Sequence, residues 1–242
     1  MSGAKRVGGK LPPAELLREG IARLEVPDAD RVQRVLETYL AELARWNARF
    51  GFVKADEEEL VVKHALDSLS AWRAVQELTA ATLSPGRGDP APRGTVLDVG
   101  TGAGFPGIPL AVALPGVSFT LLERSSRKIS FLKTCAIILG LSNARTLQAD
   151  LSGAEGRYDV VTFRAFAPLA RFLDEAGRAL SFGALLAYKG RHSRGREEAQ
   201  AVQRREGGAY TVEVREVEVP FLEEERCLVI VRPASTAPSP GA

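Results

Sequence analysis

The chain has 242 residues, 45% of them hydrophobic and 26% charged, with a formal charge of +2. That is enough for one ordinary domain with a small addition around a genuine core. It has no apolar run of about 18 residues, and Met1 to Pro13 lacks a signal-peptide core, so neither a membrane span nor export is expected and a cytoplasmic location is.

Cys135 and Cys227 lie far apart in apolar segments without metal-ligand spacing, and read as reduced core residues. With His64 and His192 the only histidines, there is little material for a metal centre or a conventional hydrolase triad, and no metal is expected.

The first part of the chain reads as helical. Ala14 to Leu24 and Arg31 to Phe50 carry apolar residues at helical spacing (Val32, Val35, Leu36, Tyr39, Leu40, Leu43, Trp46), and Leu60 to Leu78 continues in that style. Residues 84–94, rich in proline and glycine, form the clearest boundary, so a helical extension over 1–83 and a linker are expected to precede the body at 95–232. Residues 233–242 read as a disordered tail.

From Thr95 onward strands and helices alternate: Val96 to Val99, Ile108 to Leu114, Phe119 to Glu123, Lys128 to Leu139, Arg145 to Gln148, Tyr158 to Phe163, Leu169 to Leu180 and Ala184 to Tyr188. Such alternation predicts an α/β fold with a parallel sheet and crossover helices. Tyr210 to Val219 and Arg226 to Val231, joined by an acidic turn at Glu223, Glu224 and Glu225, instead suggest an antiparallel hairpin. A Rossmann-like, mainly parallel seven-stranded sheet closed by such a hairpin resembles the class I S-adenosylmethionine-dependent methyltransferase fold.

The most informative segment is Thr95 to Gly107. Gly100, Gly102, Gly104 and Gly107 follow directly on a short β-branched strand, as in a tight turn wrapped around a nucleotide cofactor. A dinucleotide must be considered, but that fingerprint puts its first glycine straight after the strand, and in the register of Gly100 its third glycine would be Phe105. Asp98, two residues before Gly100, gives a D-x-G-x-G pattern that resembles the first motif of S-adenosylmethionine-dependent methyltransferases. The next strand ends in Glu123, where a carboxylate can accept both ribose hydroxyls.

Several methyl-transfer chemistries lack their residues. Pyrimidine C5 methylation needs a cysteine nucleophile, and neither cysteine falls in a loop able to supply one. Amine methylation typically goes with an Asn/Asp-Pro-Pro-aromatic segment, where this chain has Phe163 to Pro168 (FRAFAP). A ring nitrogen such as guanine N7 has an in-plane lone pair and no proton, so positioning can do most of the work. Arg124, Arg127 and Lys128, then Arg164, then Lys189, Arg191, Arg194 and Arg196 all follow strand carboxyl ends, where they are expected to rim the site and attract phosphates.

Tyr39 to Asn47 (YLAELARWN), His64 to Leu69 (HALDSL), Asp98 to Leu110 (DVGTGAGFPGIPL), Phe131-Leu132, Arg164-Ala165 and Lys189-Gly190 occur in an order that resembles the bacterial small-subunit rRNA guanine-N7 methyltransferases, the glucose-inhibited division protein B family. The resemblance implies methyl transfer from S-adenosylmethionine to N7 of a guanine in the decoding-region (530) loop of 16S rRNA, with the small ribosomal subunit or its precursor as partner, no membrane, and a monomeric enzyme. It assigns Gly100, Gly102, Phe105, Glu123, Ala149, Asp150 and Arg164 to the cofactor. It places His64, Asp67, Ser68, Arg124, Lys128, Lys189, Arg191, Arg194 and Arg196 on the RNA side, though helical spacing would equally let His64, Asp67 and Ser68 fasten the extension to the body.

The chain departs from the family at Gly51-Phe52-Val53, where Asn-Leu-Thr is usual, and at Gln148-Ala149-Asp150, where Arg-Ala-Glu is. A methyltransferase acting on a small molecule or protein, and a noncatalytic RNA-binding or assembly factor, stay open as alternatives.

Overall fold

The computed structural model describes residues 11–81 and 94–234. The expected linker lies outside the described residues except for Gly94, and the expected tail except for Pro233 and Ala234.

The extension comprises α1 (Pro13–Arg23), α2 (Ala29–Phe50), α3 (Glu57–Glu59), a π-helix at Leu60–Leu66, α4 (Asp67–Leu69) and α5 (Trp72–Ala81). The uniform helix expected from Leu60 to Leu78 is thus broken in two ways. Its first part widens to i→i+5 bonding, and a turn at Ser70 and Ala71 interrupts the helix before α5. Apolar spacing alone does not distinguish a π-turn from an α-turn.

In the body the order is β1 (Thr95–Val99), α6 (Gly107–Ala113), β2 (Ser118–Glu123), α7 (Ser126–Ile138), β3 (Ala144–Gln148), β4 (Gly156–Arg164), α8 (Leu169–Ala179), β5 (Leu180–Lys189), α9 (His192–Arg205), β6 (Tyr210–Val217) and β7 (Arg226–Pro233). α9 escapes the sequence reading because its HSRGREEAQAVQRR sequence is mostly polar, with few apolar side chains. Only Gly195, Ala199 and Val202 of it are buried, too few to make an apolar period.

The strands form one seven-stranded sheet in the order β3-β2-β1-β4-β5-β7-β6. β1 through β5 pair in parallel, and β7 runs antiparallel between β5 and β6, so the expected architecture is the one formed. Strand parity divides the core. Val96, Phe119, Leu121, Val160 and Ile230 face a layer that includes α6, α7 and the described helices of the extension, whereas Leu97, Val99, Val161, Phe163 and Val231 face α8 and α9.

The strand order reverses between β1 and β4, since the chain steps from β1 through β2 to β3 on one side and returns on the other. The crevice beyond the carboxyl ends at such a switch point is where open α/β sheets bind ligands.

Candidate active site

The glycine turn sits at that switch point. Gly100, Gly102 and Gly104 have φ of +66°, +62° and +105°, which side-chain-bearing residues seldom adopt, so the chain can double back between β1 and α6. The Thr101 amide donates to the Leu122 carbonyl at 3.0 Å, fixing the turn to the end of β2. Beneath it Asp98 is fully buried. Its Oδ2 accepts from the Gly107 amide at 2.8 Å, while Oδ1 has no hydrogen-bond partner. Burial raises its carboxyl to about 6.

Glu123 stands at the floor of a cleft of about 790 Å³ bounded by Val99, Gly100, Arg124, Lys128, Asp150 and Arg164. Its Oε2 accepts from the Gly102 amide at 3.1 Å and its Oε1 from Ser125 at 2.9 Å. Two backbone donors therefore aim the carboxylate, and each oxygen keeps a second lone pair for a ligand. Ala149, Asp150, Leu151 and Ser152 line the wall after β3. Asp150 Oδ1 accepts from Ser152 Oγ at 2.6 Å and from the Gly153 amide at 3.2 Å, and the Ser152 bond holds its carboxyl below the usual range.

This cleft fits S-adenosylmethionine. It pairs a glycine turn, whose amides and missing side chains admit a ligand, with a preoriented carboxylate for ribose hydroxyls one strand away. Of the residues assigned to the cofactor, the structure brings Gly100, Glu123, Ala149, Asp150 and Arg164 to the cleft. Gly102 lies against it, holding Glu123. Phe105 instead turns toward the extension, its ring 5.4 Å from Tyr39 and 5.1 Å from His64. Phe166, which no spacing argument singled out, lines the cleft and is 42% exposed. Its ring lies over Gly100, where a Cβ would meet Phe166 Cδ2 at 2.5 Å.

Arg164, at the end of β4, reaches across to the π-helix. Nη1 donates to the Lys63 carbonyl and to Asp67 Oδ2, both at 2.9 Å, and Nη2 lies 2.7 Å from His64 Nδ1. The other carboxylate oxygen of Asp67 accepts from Arg226 Nε at 3.1 Å. The Ser68 carbonyl accepts from the Tyr188 hydroxyl at 2.7 Å. His64, Asp67 and Ser68 thus lock the extension onto β4, β5 and β7. Arg226, the second cation of this lock, comes from the start of β7 and had no signal in the sequence.

Because His64 Nδ1 accepts from a guanidinium, the ring is neutral with its proton on Nε2, and burial followed by the Arg164 charge lowers its pKa to about 4. The unfolded chain, with histidine near 6.5, therefore binds more protons between pH 4 and 6.5, and this group's contribution to stability rises with pH across that window. Asp98 acts oppositely. Its folded-state value of about 6 lies above the ordinary carboxyl value of 3.8, so its contribution falls as pH rises between them. In urea titrations the stability advantage of wild type over His64→Gln is expected to grow by about 1–2 kcal/mol from pH 4 to 6.5, after discounting for partial solvent screening. A pH-independent difference would contradict the assignment.

The remaining basic residues differ in their engagement. Arg124 and Lys128 border the cleft. Lys189 is drawn inward to Glu198 at 2.7 Å and over the Phe163 ring at 5.5 Å. Arg191 precedes α9, while Arg194 and Arg196 pair with Glu198 at 3.7 Å and Glu216 at 2.9 Å.

A family model described as "GidB: rRNA small subunit methyltransferase G" matches residues 32–229. The chain belongs to the GidB family. The GidB match covers part of the extension as well as nearly all of the sheet. Similar proteins include the Ribosomal RNA small subunit methyltransferase G of Treponema denticola, 33% identical over 239 residues covering 89% of this chain and 93% of that protein. The protein of the same name from Neisseria meningitidis serogroup C is 34% identical over 220 residues, covering 90% of this chain and 97% of its own.

Among solved structures, magnesium protoporphyrin IX methyltransferase of Synechocystis, described with bound SAM, superposes with TM-score 0.50 at 17% identity over 93% of this chain and all of its own. A Geobacter sulfurreducens methyltransferase superposes at 0.53 with 14% identity, covering 81% of this chain and 90% of its own. These two share the fold.

Proposed function

We propose that this GidB-family methyltransferase uses S-adenosylmethionine to methylate N7 of a guanine in the decoding-region (530) loop of 16S rRNA, acting on the small ribosomal subunit or its precursor. The observation that carries the rRNA reading is the family match over 32–229, with named relatives covered almost end to end. Bound S-adenosylmethionine supplies an electrophilic methyl on a sulfonium. Glu123 holds the ribose hydroxyls, the Ala149–Asp150 wall takes the adenine, and Arg164 with Phe166 closes the methionine end against the acceptor.

The N7 reading rests on the chemistry that the residues can support. A pyrimidine-type cysteine nucleophile has no candidate in the cleft, because Cys135 and Cys227 are both buried and burial raises Cys135 to about 12. A guanine N7 lone pair needs neither nucleophile nor base, only alignment with the methyl group. Arg124, Lys128 and Arg171 at the cleft rim supply positive charge for flanking phosphates.

The test is labelled-methyl incorporation into small subunits from cells lacking the protein, followed by nucleotide mapping. Label at one 530-loop guanine N7 is expected, and no N7 product would end the reading. Glu123→Ala is expected to weaken S-adenosylmethionine binding about 10- to 100-fold, through loss of charge-assisted hydrogen bonds, by calorimetry. An unchanged dissociation constant would remove Glu123 from the cofactor site.

A further inference from the structure

Where α2 ends, four side chains form an arrangement that the cofactor cleft does not explain. Gly51, at φ +60°, reverses the chain after Phe50, and its amide donates to the Asn47 carbonyl at 2.9 Å. Asn47 then clasps the returning strand, donating to the Val53 carbonyl at 2.7 Å and accepting from its amide at 2.8 Å. Phe52 is thereby laid back on Phe50, with ring centroids 5.6 Å apart and planes 15° from parallel. Trp46, one turn earlier, lies 5.5 Å from Phe50. Phe131 of α7 supports the inner side, 5.6 Å from both Phe52 and Trp46.

Trp46 and Phe52 pack on the core, whereas Phe50 lies outside it and is partly exposed. The guanidinium carbons of Arg49 and Arg127 each lie 5.1 Å from the Phe50 ring centroid. Among the described residues neither arginine has a carboxylate within ion-pairing distance. Two like charges drawn to one partly exposed ring, neither of them ion-paired, repel each other, and an anion beside them relieves the repulsion. Unpaired bases stack on aromatic rings and on guanidinium planes, with phosphates beside the cations.

Its place in the fold is as telling. Arg127 and Lys128 are neighbours in the first turn of α7, one against Phe50 and the other bordering the cofactor cleft. The first turn of α7 therefore joins the aromatic stack, through Arg127, to the cleft rim, through Lys128.

We propose that Arg49, Phe50, Phe52 and Arg127 form a stacking site for an unpaired RNA nucleotide flanking the one whose base enters the cleft. This rests on rRNA being the acceptor. The site binds without reading base identity, because every base presents a π-face.

The chain has two tryptophans, so Trp72→Phe leaves Trp46 as the sole reporter inside the stack. Adding a short single-stranded RNA oligonucleotide is expected to change Trp46 emission. Phe50→Ala should weaken that affinity about 10-fold and Phe50→Tyr should restore it. Arg49→Gln with Arg127→Gln should flatten the dependence of log affinity on log salt by about 1 to 2. Filter binding of the same oligonucleotide to the chain with Trp72 intact gives the affinities independently of the reporter.

In methylation assays on small subunits, Phe50→Ala should raise KM about 10-fold while kcat and the S-adenosylmethionine dissociation constant stay unchanged. Unaltered RNA affinity and KM in Phe50→Ala would overturn the proposal. So would weakened cofactor binding in that variant, which marks the stack as structural, or a Trp46 response to RNA-free ribosomal proteins but not to RNA. Wild-type protein that binds the oligonucleotide through this stack yet methylates no small subunit would leave the stacking site standing and remove the rRNA methylation reading instead.

Discussion

Arg164→Ala is expected to reduce methyl transfer by about 100-fold or more and to lower the melting temperature by about 4–8 °C. Two losses combine. The guanidinium borders the cleft, so its removal takes a fixed cation from the wall of the proposed methyl-transfer site, where small misplacements are costly. With His64 Nδ1 as acceptor it also makes three bonds to the extension, to the Lys63 carbonyl, Asp67 and His64.

Asp67, whose side chain is only 5% exposed, keeps Arg226 as partner, so the stability cost should be about 2 kcal/mol rather than the larger penalty of an orphaned buried charge. Arg164→Lys retains the charge but not the planar fork that reaches all three acceptors, and should recover stability better than turnover. Scanning calorimetry with single-turnover methylation separates the two losses. Wild-type behaviour in both would refute the role.

Gly107→Ala should be a strongly damaging change at the end of the cofactor turn. A Cβ there would stand 2.3 Å from Leu121 Cδ2 and 2.6 Å from Asp98 Oδ2, both buried side chains. Overpacking of this kind costs about 1–3 kcal/mol. The Asp98 carboxylate would also be pushed off the Gly107 amide, its one hydrogen bond by geometry, for about 1.5–3 kcal/mol more. A total near 4 kcal/mol corresponds to a fall of about 8–16 °C in melting temperature. Gly116→Ala is the control, since nothing lies within 4 Å of its Cβ position. Equal urea midpoints for the two variants would show that the turn tolerates a methyl group.

The features legible in the sequence are those made by near neighbours in the chain. β1, the glycine turn and Glu123 follow from a β-branched run, residues that permit positive φ, and a carboxylate one crossover later. Alternation of strand and helix demands a parallel sheet because crossover connections leave no other easy pairing. The hairpin at the end likewise shows itself through two strands and a turn.

What the sequence left open is what distant segments decide together. α9 is helical because β6, β7 and α8 cover its few small residues, not because its charged sequence has a period. The π-turn at Leu60–Leu66 became visible only once its backbone bonding was known, and Arg164 takes its Lys63 carbonyl. His64, Asp67 and Ser68 could equally have faced RNA or the sheet. Their partners, Arg164, Arg226 and Tyr188, lie about 100 residues or more away.

By itself the sequence determined the cofactor turn, the fold class and the family pattern, since each is written in local spacing. Only the tertiary structure decided which charges are spent on holding the extension and which remain unpaired at the surface. Ion pairing depends on distances of a few ångströms between side chains that the chain order keeps far apart.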